Sequence, residues 1–157
     1  MARHKTASVQ PPEQIAAQLR EAFACFRAMN PRLRIVVTVS PVPLEASFQR
    51  NLSILAADCL SKSTLRNAVS LVTDPDNGIY YFPSFEFVRW LCPLVGLQPY
   101  ARDDGHPRHV SNNVVASICL LFAKYFSNAG VYAACLAKAG TIDSMREANV
   151  SFSSPLD

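Results

Sequence analysis

An α/β protein, with parallel strands joined by crossover helices, is the fold class this sequence predicts, and three observations predict it. Helix-like and strand-like segments alternate along residues 12–82, which is the order that feeds a parallel sheet. The strand-like runs are short, apolar and rich in β-branched or aromatic residues, and each is closed by proline. The chain has 157 residues, 50% of them hydrophobic and 17% charged, which places it among globular proteins of one domain.

The first helix is expected over Pro12 to Ala28. Ile15, Leu19, Ala22, Phe23, Phe26 and Met29 recur on one face at helical spacing, with Gln18, Arg20 and Arg27 mostly elsewhere. Asn30-Pro31 stops it, because a residue before proline is pushed out of the helical region. Leu33 to Val39 follows as a β-branched strand, expected to be buried on both faces, and Ser40-Pro41-Val42-Pro43 ends it by denying the ladder its backbone donors. Residues 52–72 read as one bent helix or as a loop and a helix around Ser61-Lys62-Ser63, and a helix from about Ser63 to Val72 is favoured. Thr73 to Gly78 is a turn cluster, after which Ile79 to Phe82 is an aromatic strand closed by Pro83. Phe85 to Leu91 forms a short helix, residues 92–110 are mainly loop, and Ser111 is placed to cap a buried helix that runs to Phe126. Phe82, Phe85, Phe87 and Trp90 are expected in the core. The domain spans residues 12–127, preceded by a flexible N-terminus over 1–11 and followed by a weakly helical extension over 128–157.

Composition excludes several functions. Fifteen Lys and Arg against twelve Asp and Glu leave a net charge of only +3, spread along the chain rather than gathered in a stripe, so nucleic acid is not an expected partner. No apolar run at the start resembles a secretory signal or a membrane span, so a cytoplasmic location without membrane contact is expected. The five cysteines are widely spaced among apolar neighbours and include no Cys-x-x-Cys pair, which reads as buried thiols and not as a metal centre.

The chemistry-bearing stretch is Asp103-Asp104-Gly105-His106-Pro107-Arg108-His109-Val110-Ser111. It holds two of the three histidines and runs directly into the apolar helix. Histidine titrates near neutrality, and a nearby carboxylate can orient it as proton acceptor for a hydroxyl nucleophile. Ser40, beyond the carboxyl end of the first strand, is a candidate site hydroxyl or a simple turn cap. Ser61-Lys62-Ser63 lacks the spacing of serine–lysine catalytic pairs.

Four strings in order, Leu33 to Leu44 (LRIVVTVSPVPL), Ala57 to Arg66 (ADCLSKSTLR), Ile79 to Val88 (IYYFPSFEFV) and Arg108-His109-Val110-Ser111, resemble the second half of a GSCFA-domain protein, a family related to the SGNH or GDSL-like esterases. The resemblance covers about residues 12–126. It implies the C-terminal half of a flavodoxin-like, SGNH-hydrolase-like three-layer α/β/α fold with few parallel strands, in which a serine after the first strand is the nucleophile and a histidine in a late loop its general base. No cofactor or metal is implied. The family's Gly-Ser-Cys-Phe-Ala string is absent from these 157 residues, so the nucleophile-bearing part is missing and the chain is expected to be inactive alone. The resemblance further implies Asn where this chain has Asp58, and an ionised Asp cannot donate to an oxyanion as Asn can. It also places an Asp three residues before the base, whereas His109 has His106 there. Reading from His106 restores the pattern as Asp103-x-x-His106, but spacing to the following helix favours His109, and Asp103 or Asp104 could fold back on either ring. The candidate site is therefore His109, His106, Asp103 and Asp104, with Ser40 and Asp58 on the substrate side. The expected partners are a small acyl or ester substrate and a second polypeptide, either a complementary N-terminal half or another copy. The alternative is a non-enzymatic interaction module that pairs through an exposed sheet edge.

Overall fold

A computed structural model describes residues 9–47, 49 and 51–139. The chain divides into two compact units, Met1–Phe82 and Pro83–Asp157. The first is helix α1 (Pro12–Met29), strand β1 (Ile35–Val37), helix α2 (Ile54–Ser70), a 3₁₀ turn (Pro75–Asn77) and strand β2 (Ile79–Tyr81). β1 and β2 pair in parallel with Ile35 opposite Ile79 and Val37 opposite Tyr81, and α2 is the crossover between them. A mixed α/β chain with a small parallel sheet is thus what the sequence builds.

Proline and Asp-Gly chemistry set the boundaries. Pro12 occupies the first helical turn of α1, where its missing N–H costs nothing. Asp74 caps the 3₁₀ turn by accepting the Asn77 N–H, and Gly78, at φ +70°, makes the left-handed step into β2. The core gathers Ala16, Phe23 and Val72, with Leu19, Ile35, Val37 and Ile79 against them. Arg20 donates to the Leu71 carbonyl at the end of α2 (2.5 Å) and Arg27 to the Asn77 carbonyl, so α1 is tied down by guanidinium groups as well as by apolar area.

Several expectations need correction here. The inner stripe of α1 is Ala16, Leu19 and Phe23, whereas Ala22, Phe26 and Met29 are exposed. Arg20 and Arg27 reach their carbonyls from beside this stripe. β1 is three residues long and only half-buried, not a seven-residue strand covered on both faces. Its partner β2 is equally short before Pro83, and no third strand lies beside either among the described residues. Helix α2 starts at Ile54, well before Ser63. Ser53 caps it by accepting the Ala56 N–H, and the Ser63 and Thr64 hydroxyls donate back to the Cys59 and Leu60 carbonyls, so the polar triplet continues the helix rather than breaking it.

The second unit starts with a helical stretch of three parts: α3 (Ser84–Glu86), a π-helical turn (Phe87–Leu91) and α4 (Cys92–Leu94). Pro93 has no N–H to give and its ring crowds the preceding turn, which favours the wider winding just before it. Val88 and Cys92, four residues apart, face the core, which turns Trp90 midway between them to the opposite side, where it is 65% exposed rather than in the core as expected. Helix α5 (Asn112–Phe126) and helix α6 (Ala129–Ala139) follow. The remainder of the expected weak helix around Gly140 and the tail beyond it lie outside the described residues. The core of this unit is Val88, Cys92 and Val114, with Leu97, Tyr100, Val110 and Ile118 packed on it.

Of the cysteines expected to be buried, only Cys92 is; burial pushes its thiol pKa up. Cys25, Cys59 and Cys119 sit on outer helix faces and are exposed, and Cys135 is intermediate. No helix among the described residues is long and apolar enough to cross a membrane.

Candidate active site

The histidine loop is closed at its neck. Tyr100 and Val110 form an isolated antiparallel bridge, the Ala101 N–H donates to the His109 carbonyl (3.2 Å) and the Ser111 N–H to the Pro99 carbonyl (2.9 Å). Because Tyr100 and Val110 both pack on the Val88–Cys92–Val114 core, the neck is fixed from below. Residues 101–109 then form a tight loop with two left-handed positions, Ala101 (φ +62°) and Gly105 (φ +74°). Ser111 is buried at the N-cap position of α5, but its hydroxyl donates sideways to the Gln98 carbonyl (3.2 Å) and caps nothing. The capping falls to Asp103, whose Oδ2 accepts the Asn112 N–H (2.5 Å) and sets a negative charge at the positive end of a 15-residue helix.

Asp104 turns the other way. One oxygen, Oδ1, accepts the His106 N–H (2.9 Å) and locks an Asx turn over Gly105, leaving Oδ2 to meet Nδ1 of His109 at 2.5 Å. The structure thus brings Asp104 to His109 and takes Asp103 away to α5; Asp103 and His106 are not paired. Asp104 lies below the usual carboxylate range, chiefly through its bond to the His109 ring, then through the His106 N–H, with slight desolvation opposing and the charge an imidazole carries when protonated adding a smaller pull. An ionised carboxylate accepts and does not donate, so the neutral His109 tautomer that suits this contact carries its proton on Nδ1 and its lone pair on Nε2. The His109 side chain is 62% exposed, so that lone pair is open to a reacting proton. A carboxylate bonded to Nδ1, with Nε2 left as acceptor, is what a general base needs.

His106 completes the group. Its ring stacks on that of His109 with centroids 4.1 Å apart and planes 24° from parallel, and its Nδ1 accepts the Arg108 N–H (3.3 Å). Sequence reading did not find this stack, although the His-x-x-His spacing across Pro107 is the turn that produces it.

Ser40 and Asp58 belong to the other unit. Ser40 is exposed and its Oγ accepts the Val42 N–H (3.3 Å), an ST turn before the second proline. Asp58 is buried on α2 and its Oδ1 accepts the Leu44 N–H (2.9 Å), which anchors the proline-rich segment after β1. Lys62, one turn further along α2, is buried as well.

An α/β chain that presents a carboxylate-oriented imidazole, on a loop leading into helix α5, is the class of protein these features define; α5 is not the buried helix expected, since only Val114, Ser117 and Ala123 along it are buried while Val115, Cys119 and Phe122 are exposed. The chain belongs to the GSCFA family, whose model matches residues 2–122. No curated protein and no solved structure matches it.

Proposed function

We propose that this chain carries the general-base part of a serine ester or acyl hydrolase of the SGNH or GDSL-like kind, as the C-terminal portion of a flavodoxin-like domain. The observation that carries this reading is the contact of His109 Nδ1 with Asp104 Oδ2 at 2.5 Å, on an imidazole that is 62% exposed. His109 takes the proton of an attacking hydroxyl at Nε2, and Asp104 holds the ring in the tautomer that can receive it. The hydroxyl comes from a segment bearing the Gly-Ser-Cys-Phe-Ala string, which does not occur in these residues. Membership of the family and the ordered motifs support that division of labour. Free thiols on the exposed faces of α1, α2 and α5 fit a reducing, cytoplasmic setting.

An unactivated alkyl ester such as ethyl butyrate is the substrate to use, since imidazole alone attacks activated phenyl esters. In a pH-stat assay the chain alone is expected to give no turnover and to leave a serine-reactive fluorophosphonate unincorporated. Adding a polypeptide with the Gly-Ser-Cys-Phe-Ala segment is expected to restore turnover, and His109→Ala to remove it. Turnover by the chain alone that His109→Ala abolishes would overturn the proposal.

The sheet favours a second reading, in which the chain is a pairing module. The Ile35 N–H and the Val37 carbonyl both bond toward β2, which turns the backbone of Val36 to the outer edge of β1. A strand edge of this kind pairs readily with another chain. Light scattering after size exclusion is expected to give twice the 17.3 kDa chain mass on this reading, and a sharp monomer rejects it.

A further inference from the structure

We infer that His106 is a positioning residue for His109: its ring, laid against the His109 imidazole, fixes the plane in which that imidazole holds Asp104 and presents Nε2. The inference rests on the reading of His109 as a base, and it assigns a purpose to the histidine that stands where the family pattern has an acid.

An imidazole as exposed as that of His109 has little packing to choose its rotamer. Its bond to Asp104 restrains one end only, because the ring can still swing about the line from Nδ1 to Oδ2. A stacked neighbour 4.1 Å away acts across the ring face, at right angles to that bond, and removes the remaining freedom. The stacking ring is itself held, since its Nδ1 accepts the Arg108 N–H (3.3 Å). Pro107 between the two histidines locks its own φ and shortens the set of turns that could separate them. The backbone of His106 also serves the pair: its N–H holds Asp104 Oδ1 (2.9 Å) and its carbonyl receives the His109 N–H (3.1 Å). One residue therefore touches both members of the dyad, the carboxylate through its amide and the base through its ring.

The proton positions argue against the other use of two adjacent histidines, joint capture of a transition metal. Nδ1 of His106 accepts, so a neutral His106 carries its proton on Nε2, opposite to His109. Chelation through both Nε2 atoms requires His106 to move that proton to Nδ1 and lose the Arg108 bond. The stack is arranged for orientation.

Imidazole ¹⁵N spectra of the full chain at pH 8 test this without any substrate, because they report the tautomer of each neutral ring. His109 is expected to show the Nδ1–H signature. In His106→Ala the share of the Nε2–H form at His109 is expected to rise severalfold, whereas His106→Phe, which keeps an aromatic face, is expected to preserve the original signature. An unchanged His109 in His106→Ala overturns the inference, and so does a Phe variant that behaves like Ala, since the ring nitrogen and not the face would then be responsible. Should the Ala variant disorganise residues 101–109, His106→Leu against His106→Phe decides, because both fill the space and only Phe can stack; equal signatures overturn the inference. Asp104→Asn separates this inference from the function it rests on. Survival of the Nδ1–H signature in that variant removes Asp104 as the orienting acid and with it the base assignment, whatever His106 does.

Discussion

Replacing Asp104 by Asn is expected to leave the loop folded and to disable the base. The side chain keeps an oxygen for the His106 N–H, so the Asx turn over Gly105 survives. What changes is the other end of the side chain, where an ionised acceptor at 2.5 Å from His109 Nδ1 becomes an amide that can present either a donor or an acceptor. Presented with the NH₂ group, His109 turns into the Nε2–H tautomer and has no lone pair where the hydroxyl arrives. The neutral amide also leaves the imidazolium formed during proton transfer without its counter-charge. In serine hydrolases with an aspartate–histidine pair this substitution costs on the order of 10⁴-fold in kcat, and that is the loss expected here in the proposed hydrolase once a Gly-Ser-Cys-Phe-Ala segment is supplied. Retention of more than about a tenth of the rate would show that proton transfer does not pass through an oriented His109.

The same pair has a predictable pH dependence. Asp104 is held below its ordinary value in the folded chain, so the group contributes stability above the unfolded aspartate range and loses it as pH falls through its lowered folded pKa. The Asp104 contribution to the stability difference between the wild-type chain and Asp104→Asn is therefore expected to be lost on strong acidification. The contribution is small, because both side chains are half or more exposed.

Where local chemistry decides, the sequence was readable. Asn30-Pro31, Asp74 to Gly78 and Pro83 mark the ends of α1, the crossover and β2 because proline and a left-handed glycine act within a residue or two of where they stand. Phase was harder. Trp90 belongs outside because Val88 and Cys92, two residues to either side of it, take the inner face, and an aromatic's size does not say which face of a short helix it occupies. Ser61-Lys62-Ser63 reads as an interruption, yet the Ser63 hydroxyl returns to the Cys59 carbonyl one turn back and the helix runs on. In the site, Asp103 and Asp104 are adjacent and chemically identical; only the Asx turn and the left-handed Gly105 send one to the α5 terminus and the other across to His109. A spacing rule written for an acid three residues before the base does not contain that route, since the carboxylate arrives from five residues away.

Phase errors of this kind have energetic consequences that can be measured on α1. Periodicity places Phe23 and Phe26 on one face, but three residues leave the two rings about 60° apart around the helix, and the core takes Phe23 alone. Phe23 is buried against Ala16 and Val72, whereas Phe26 is 50% exposed. Phe23→Ala is therefore expected to destabilise the first unit by about 3–5 kcal/mol, the transfer term of a buried ring plus the cavity that rigid neighbours leave behind. Phe26→Ala is expected to cost about 1 kcal/mol or less, since half of that ring is already in water. Against a typical total of about 5–15 kcal/mol the first change removes a large part of the fold's margin and the second does not. Hydrogen exchange at the amides of α1 reads both directly, as faster exchange under urea for Phe23→Ala alone. Equal losses for the two variants would mean that α1 rests on the edge its apolar residues define rather than on the one its arginines hold. Arg20→Met then becomes the sharper comparison: it keeps the apolar stem and removes the bond to the Leu71 carbonyl at the end of α2, so it tests whether that guanidinium, and not the apolar stripe, sets the rotation of the helix.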